Sequence, residues 1–155
     1  MEVIKDFEDL LYMLDKQQVK YLIIGGLAFI YHAKPRYTKD LDLWIDPSPL
    51  NIKKANRALI DFGSPLLLDK NTVDEIIQIG LPPNRIDLLQ ETGSLSFSSA
   101  WKKRIKGYYG EARANWIDID SLIEIKRQIK NPRHQEDVRV LMEVKKLQQK
   151  KKKLK

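Results

Sequence analysis

Asp40-Leu41-Asp42-Leu43 is the stretch of this sequence whose residue types and spacing could do chemistry. Side chains alternate faces along a strand, so both carboxylates project to one side while both leucines enter the core. Adjacent carboxylates repel and raise one another's proton affinity, and a divalent cation relieves that strain. All-oxygen ligation suits magnesium, with manganese as the alternative. Acids facing outward are also common on half-buried strands, so the pair gains meaning from its context. Upstream, Gly25-Gly26 lies at a strand-to-helix junction, where missing side chains let a phosphate approach the backbone and the exposed N–H groups of the helix start attract an anion. A third acid, Asp87, sits within Arg85-Ile86-Asp87-Leu88-Leu89. It completes a three-carboxylate cluster if that strand neighbours the first pair; otherwise it is an outward acid on a half-buried strand. A glycine turn for a triphosphate, two acids for metals and a third near the attacking group describe phosphoryl-group chemistry.

The elements that must position these residues follow from apolar spacing. Over residues 2–17, Val3, Phe7, Leu10, Leu11 and Leu14 recur at three- and four-residue intervals and predict an amphipathic helix. Residues 19–24 form a β-branched and aliphatic run closed by the glycines, which reads as a buried strand leading into a helix over 27–32. Lys34-Pro35 breaks that helix, and residues 40–46 read as a half-buried strand. Ser48 is placed to cap a helix ending near Asp61, with Leu50, Ala55, Ala58 and Leu59 on its apolar face and Gly63 as its stop. Residues 75–80 and 85–89 predict two strands of a hairpin around Leu81-Pro82-Pro83-Asn84. Residues 97–105 read as helical and 112–117 as extended. Asp118 or Asp120 can cap a helix bearing Leu122, Ile125 and Ile129, and Asn131-Pro132 ends it and starts another.

The chain has 155 residues, the size of one domain with a short appendage. Residues 1–144 are expected to form that domain, with a core near 19–90 and a helical C-terminal part near 118–144, followed by a lysine-rich tail at 145–155. Of its 28 basic residues, seven lysines lie in the tail with no acid beside them, which leaves 21 basic residues against 21 acidic ones in the body. The net charge of +7 is therefore a property of the tail, either a solvated helix end or a phosphate-contacting arm. No cysteine is present, so disulfide scaffolds, thiolate zinc sites and thiol nucleophiles are excluded. The first residues lack the apolar core of a signal peptide, and no stretch has the length of a bilayer span, so a cytoplasmic location without a membrane partner is expected.

Gly25-Gly26-Leu27-Ala28, His32, Pro35-Arg36 and Thr38-Lys39-Asp40-Leu41-Asp42-Leu43-Trp44 together resemble the signature of the DNA polymerase β-like nucleotidyltransferase superfamily. More narrowly, they resemble its small bacterial and archaeal branch that contains the AbiEii-type toxins. The later stretch with Lys126, Pro132 and Asp137 is similar to the helical part of these relatives, although Arg133-His134 stands where they carry a Lys-Asp pair. The resemblance implies an α/β (α+β) fold, a minimal palm-like mixed sheet flanked by helices with a short helical C-terminal part. It implies a metal-dependent transfer of NMP from an NTP to a hydroxyl acceptor with release of pyrophosphate. Asp40, Asp42 and Asp87 would hold two Mg2+ ions, or Mn2+, and Asp87 would help deprotonate the acceptor.

Gly25, Gly26, Arg36, Thr38 and Lys126 would bind the nucleotide by the same resemblance. Arg36 and Thr38 could equally pin the loop that enters the catalytic strand, and Lys126 could equally be a solvated side chain. His32 is either a catalytic group or a packing group at a helix end. Trp44 either walls the site or packs against a helix. The acceptor is left open among a tRNA end, a protein hydroxyl and a small molecule, selected by a partner protein, by a homodimer or by the basic tail. The competing readings are a catalytically silent nucleotide- or partner-binding module, such as a toxin–antitoxin component, and a nucleic-acid-binding protein working through its tail.

Overall fold

A computed structural model describes residues 1–38 and 40–154. Lys39, within the motif above, and Lys155, the last lysine of the tail, lie outside the described residues. The strands are β1 (Tyr21–Ile24), β2 (Asp40–Ile45), β3 (Ile77–Ile79), β4 (Arg85–Leu89), β5 (Ile105–Tyr109) and β6 (Ala112–Trp116). The helices are α1 (Lys5–Lys16), α2 (Gly25–His32), α3 (Pro49–Phe62), α4 (Phe97–Lys102), α5 (Ile119–Arg127) and α6 (Pro132–Lys153). This is the mixed α/β architecture expected from the sequence.

The strands form one mixed sheet in the order β3-β4-β2-β1-β6-β5. β1 runs antiparallel to β2 and parallel to β6, β2 runs parallel to β4, and two antiparallel hairpins, β3/β4 and β5/β6, close the edges. Alternation assigns each strand residue to one of two cores. Tyr21, Ile23, Leu41, Leu43, Ile45, Ile86 and Leu88 face one side, where Phe7, Leu10, Leu11 and Leu14 of α1 and Ile52, Ala55, Ala58 and Leu59 of α3 cover them. Each buried leucine, isoleucine or phenylalanine among them contributes about 1.5–3 kcal/mol relative to exposure. Leu22, Ile24 and Trp44 face the other side with Phe29, Phe97, Leu122, Ile123 and Leu141. The carboxylates of β2 and β4 share this second face, which is where the helical cover is incomplete.

Several local expectations are corrected. Val3 precedes α1 and is exposed, as is Leu50 at the start of α3, where Asn51 is buried instead. The Asn51 side chain accepts from Lys20 N and donates to the carbonyls of Lys20 and Asp46, tying α3 to the ends of β1 and β2. The helix expected over 97–105 stops at Lys102, and Ile105 opens the edge strand β5 instead. Ile129 falls beyond the end of α5 and is exposed. Gly63 stops α3 with a left-handed φ of 92°, and of the two candidate acids Asp118 caps the start of α5 by accepting from Ser121 N at 3.1 Å, whereas Ser48 stands at the N-cap of α3 without a side-chain cap bond. Among the described residues, no helix is long and apolar enough to cross a membrane.

Candidate active site

β2 and β4 lie side by side in parallel register, with Asp42 opposite Asp87 and Asp40 opposite Arg85. The two leucines between and after the β2 acids are fully buried on the far side, so the pattern of the tetrapeptide fixes the direction of both carboxylates. The third acid is thus brought beside the first two, a neighbour relation that the flanking apolar residues alone left open.

Gly25 opens α2 with φ of 67°, a conformation that side-chain-bearing residues rarely adopt. A Cβ on this residue would stand 2.1 Å from Asp42 Oδ2, so the helix start and the carboxylate are in direct apposition only because glycine is there. A Cβ on Gly26 would stand 2.6 Å from Thr38 Oγ1, which places the incoming loop against the same helix start. Arg36 does not reach the carboxylates. Its Nη1 donates to Asp137 Oδ1 at 2.6 Å, and its guanidinium stacks 4.1 Å over the Phe29 ring.

Lys126 is buried, contrary to a solvated reading, and its Nζ donates to Asp137 Oδ2 at 2.9 Å. Burial lowers its proton affinity, against the opposing hydrogen bond and charge of Asp137. For Asp137 burial raises the pKa, yet the hydrogen bonds from Arg36 and Lys126 outweigh it and hold the carboxyl below its usual range. One carboxylate from α6 therefore ties the loop after α2 to α5. His32 is a packing group: its Nε2 hydrogen-bonds the Ile117 carbonyl at 2.7 Å, and burial holds its pKa below the usual value. Trp44 is buried edge-on against Phe97, with ring centroids 5.2 Å apart.

The electrostatics of the acid cluster are uneven. Arg85 donates through Nε to Asp87 Oδ1 at 2.8 Å, and through Nη2 to Asp87 Oδ2 at 3.1 Å and to Asp40 Oδ2 at 3.0 Å. Asp42 is left without that pairing. Burial, followed by the charges of Asp87 and Asp40, pushes its pKa up to about 7. Arg85 was not singled out from the sequence, although its two-residue spacing from Asp87 on a strand puts both on one face.

Asp42 and Asp87 open onto a cavity of about 430 Å3, walled by Ile24, Leu122 and Ile125 and reached by Lys126 and His134. Thr92 Oγ1 and His134 Nδ1, in side chains that line it, are buried without a hydrogen-bond partner among the described residues. An apolar cavity with a few convergent polar groups and a perturbed carboxylate is the usual form of a small-molecule site.

Solved structures share this arrangement of elements. A lincosamide antibiotic adenylyltransferase, LnuA, bound to lincomycin, superposes with a TM-score of 0.62 at 14% identity, over 92% of this chain and 99% of that one. The chain has a nucleotidyltransferase fold. ANT(2")-Ia in complex with adenylyl-2"-tobramycin shares that fold with a TM-score of 0.59 at 12% identity, over 87% of this chain and 84% of its own. An antigenic nucleotidyltransferase-like protein from Paracoccidioides brasiliensis gives 0.53 at 15% identity, over 92% and 75% respectively. No family model matches the sequence, and a search of curated proteins finds no match.

Proposed function

We propose that this protein is a metal-dependent nucleotidyltransferase that moves NMP from an NTP to the hydroxyl of a small-molecule acceptor. The observation that carries the reading is the pairing of Asp42 with Asp87 across β2 and β4, one step from Asp40, against the glycine-started helix α2. The nucleotidyltransferase fold supports it.

The residues suit a divalent cation chemically. The donors are all carboxylate oxygens, Asp40 Oδ1 is buried without a partner among the described residues, and burial together with the charges of Asp87 and Asp40 makes Asp42 hold its proton unusually tightly, a strain that a bound cation would relieve. Asp40, Asp42 and Asp87 would hold it. As the side chains stand, no three acidic or imidazole groups among the described residues are arranged to hold an ion; Asp40 and Asp87 are turned onto Arg85 instead. When bound, the cation supplies Lewis-acid charge that offsets the negative charge of the triphosphate and of the transition state.

The exposed N–H groups at the start of α2, over Gly25 and Gly26, receive the triphosphate, and Thr38 holds the entering loop against them. The acceptor oxygen attacks the α-phosphorus, the bond from that phosphorus to the bridging oxygen breaks, and pyrophosphate leaves. Asp87 takes the hydroxyl proton. Lys126, kept charged by Asp137, lends positive charge to the same cavity. Arg36 acts through Asp137 as a positioning residue. The apolar walls favour a small acceptor with an apolar face over a polynucleotide end.

Calorimetric titration with each of the four NTPs, with and without Mg2+, tests the reading against the Asp40→Asn/Asp42→Asn double variant. Magnesium-dependent binding confined to the wild type is expected. No binding by the wild type overturns the proposal in favour of a catalytically silent partner-binding module.

A further inference from the structure

We infer that Arg85 is a built-in counter-ion of the carboxylate site, which takes up the donor atoms a divalent cation needs and has to release them before the cation is held. The inference rests on the metal reading above and goes beyond it, because it makes a residue outside the acid triad the determinant of metal affinity.

The geometry is specific. A guanidinium presents its N–H groups as a rigid planar fork. Here the fork engages both oxygens of Asp87 and reaches across to Asp40 Oδ2, at 2.8, 3.1 and 3.0 Å. Only Asp40 Oδ1 and the Asp42 carboxylate are left out of the arrangement. A cation bound by Asp87 therefore has to replace at least one existing charge-assisted hydrogen bond. It would also stand beside a guanidinium that cannot lose its own charge by deprotonation. The registers make the contact intrinsic to the sheet: Arg85 lies directly opposite Asp40 and two residues before Asp87, so all three side chains share one face. With 27% of its side chain exposed, the arginine is at the edge of the cluster and can swing into solvent without crossing the core.

Metal affinity is consequently weaker than three carboxylates would give alone, and the protein without its ion is held together at this point by Arg85. Mn2+ titration of the full chain in the absence of nucleotide, by calorimetry and by loss of free-ion paramagnetic resonance signal, tests this directly. Arg85→Gln is expected to bind Mn2+ about five- to tenfold more tightly, the effect of deleting a partly screened competing ion pair. It is also expected to melt at a lower temperature than the wild type in chelator and to gain more from Mn2+. Arg85→Lys, which keeps the charge and loses the fork, is expected to fall between the two, and it carries the test if the glutamine variant does not fold. Unchanged or weaker Mn2+ affinity in a folded variant overturns the inference, since a residue that merely orients Asp87 would strengthen binding by its presence. If neither wild type nor variants bind Mn2+, the metal reading itself falls and takes this inference with it.

Discussion

Asp42 pairs with neither Arg85 nor any other described cation, and its raised proton affinity has a defined consequence for stability. An ordinary aspartate ionises near 3.8, whereas burial and the charges of Asp87 and Asp40 bring this one to about 7. Between those values the folded protein binds a proton that the unfolded chain has released. Its stabilising contribution is complete below about pH 4 and is lost as pH rises through about 7. In chelator, Asp42→Asn should remove this loss and be more stable than wild type at pH 8 by on the order of a few kcal/mol. Subtracting melting curves of the two proteins across pH isolates the effect from Asp137 and His32, whose lowered pKa values give the opposite slope. Parallel curves would refute it. The same variant is expected to lose magnesium-dependent NTP binding. Gly25→Ala is expected to cost about 1–3 kcal/mol in urea unfolding, because it adds a left-handed strain to a collision with Asp42. Wild-type stability in that variant would mean that α2 can shift away from the carboxylate.

At the scale of elements, Asp137 is the joint between the helical layer and the loop after α2. Removing its charge leaves Lys126 buried without a counter-ion, so Asp137→Ala should destabilise by about 3 kcal/mol, and the Asp137→Ala/Lys126→Met double variant should recover part of it. Urea unfolding of the three proteins measures both effects; a double variant as unstable as the sum of its parts would contradict the pairing. The elements that carry the acids were legible in the sequence, because a leucine alternates with each aspartate and the period survives in β2 and β4. β5 was not. Its Lys106 is exposed, and Gly107 replaces a side chain where Trp116 and Tyr31 close over the strand, so no apolar alternation remains to be read. The buried state of Lys126 was equally hidden, since the charge that makes it tolerable arrives from another helix.

Across the whole molecule, charge and stability are spatially separated. α6 buries Leu141 and Asp137, but from residue 146 onward its described side chains are all exposed. Deleting residues 150–155 should therefore leave the melting temperature within about 2 °C of wild type while lowering the net charge. A larger drop, read by scanning calorimetry, would show that the end of the helix packs on the body. The β3/β4 hairpin at one edge could be anticipated from its turn residues, but the β5/β6 hairpin at the other edge and the central order β4-β2-β1-β6 could not. Parallel neighbours are joined through long crossovers and leave no local period, and β1 meets β6 through the single register pair Ile23 and Trp116.

That topology also bears on how the sheet closes. β4 pairs with β2 across α3 and the segment behind it, a non-local encounter between two strands that both carry acids. Were those acids alone, each docking attempt would bring like charges together, and the chain would have to await an ion to finish folding. Because Arg85 travels on β4 with Asp87, the incoming strand arrives electrically balanced against Asp40. The sheet can therefore close with these charges paired by the chain's own residues.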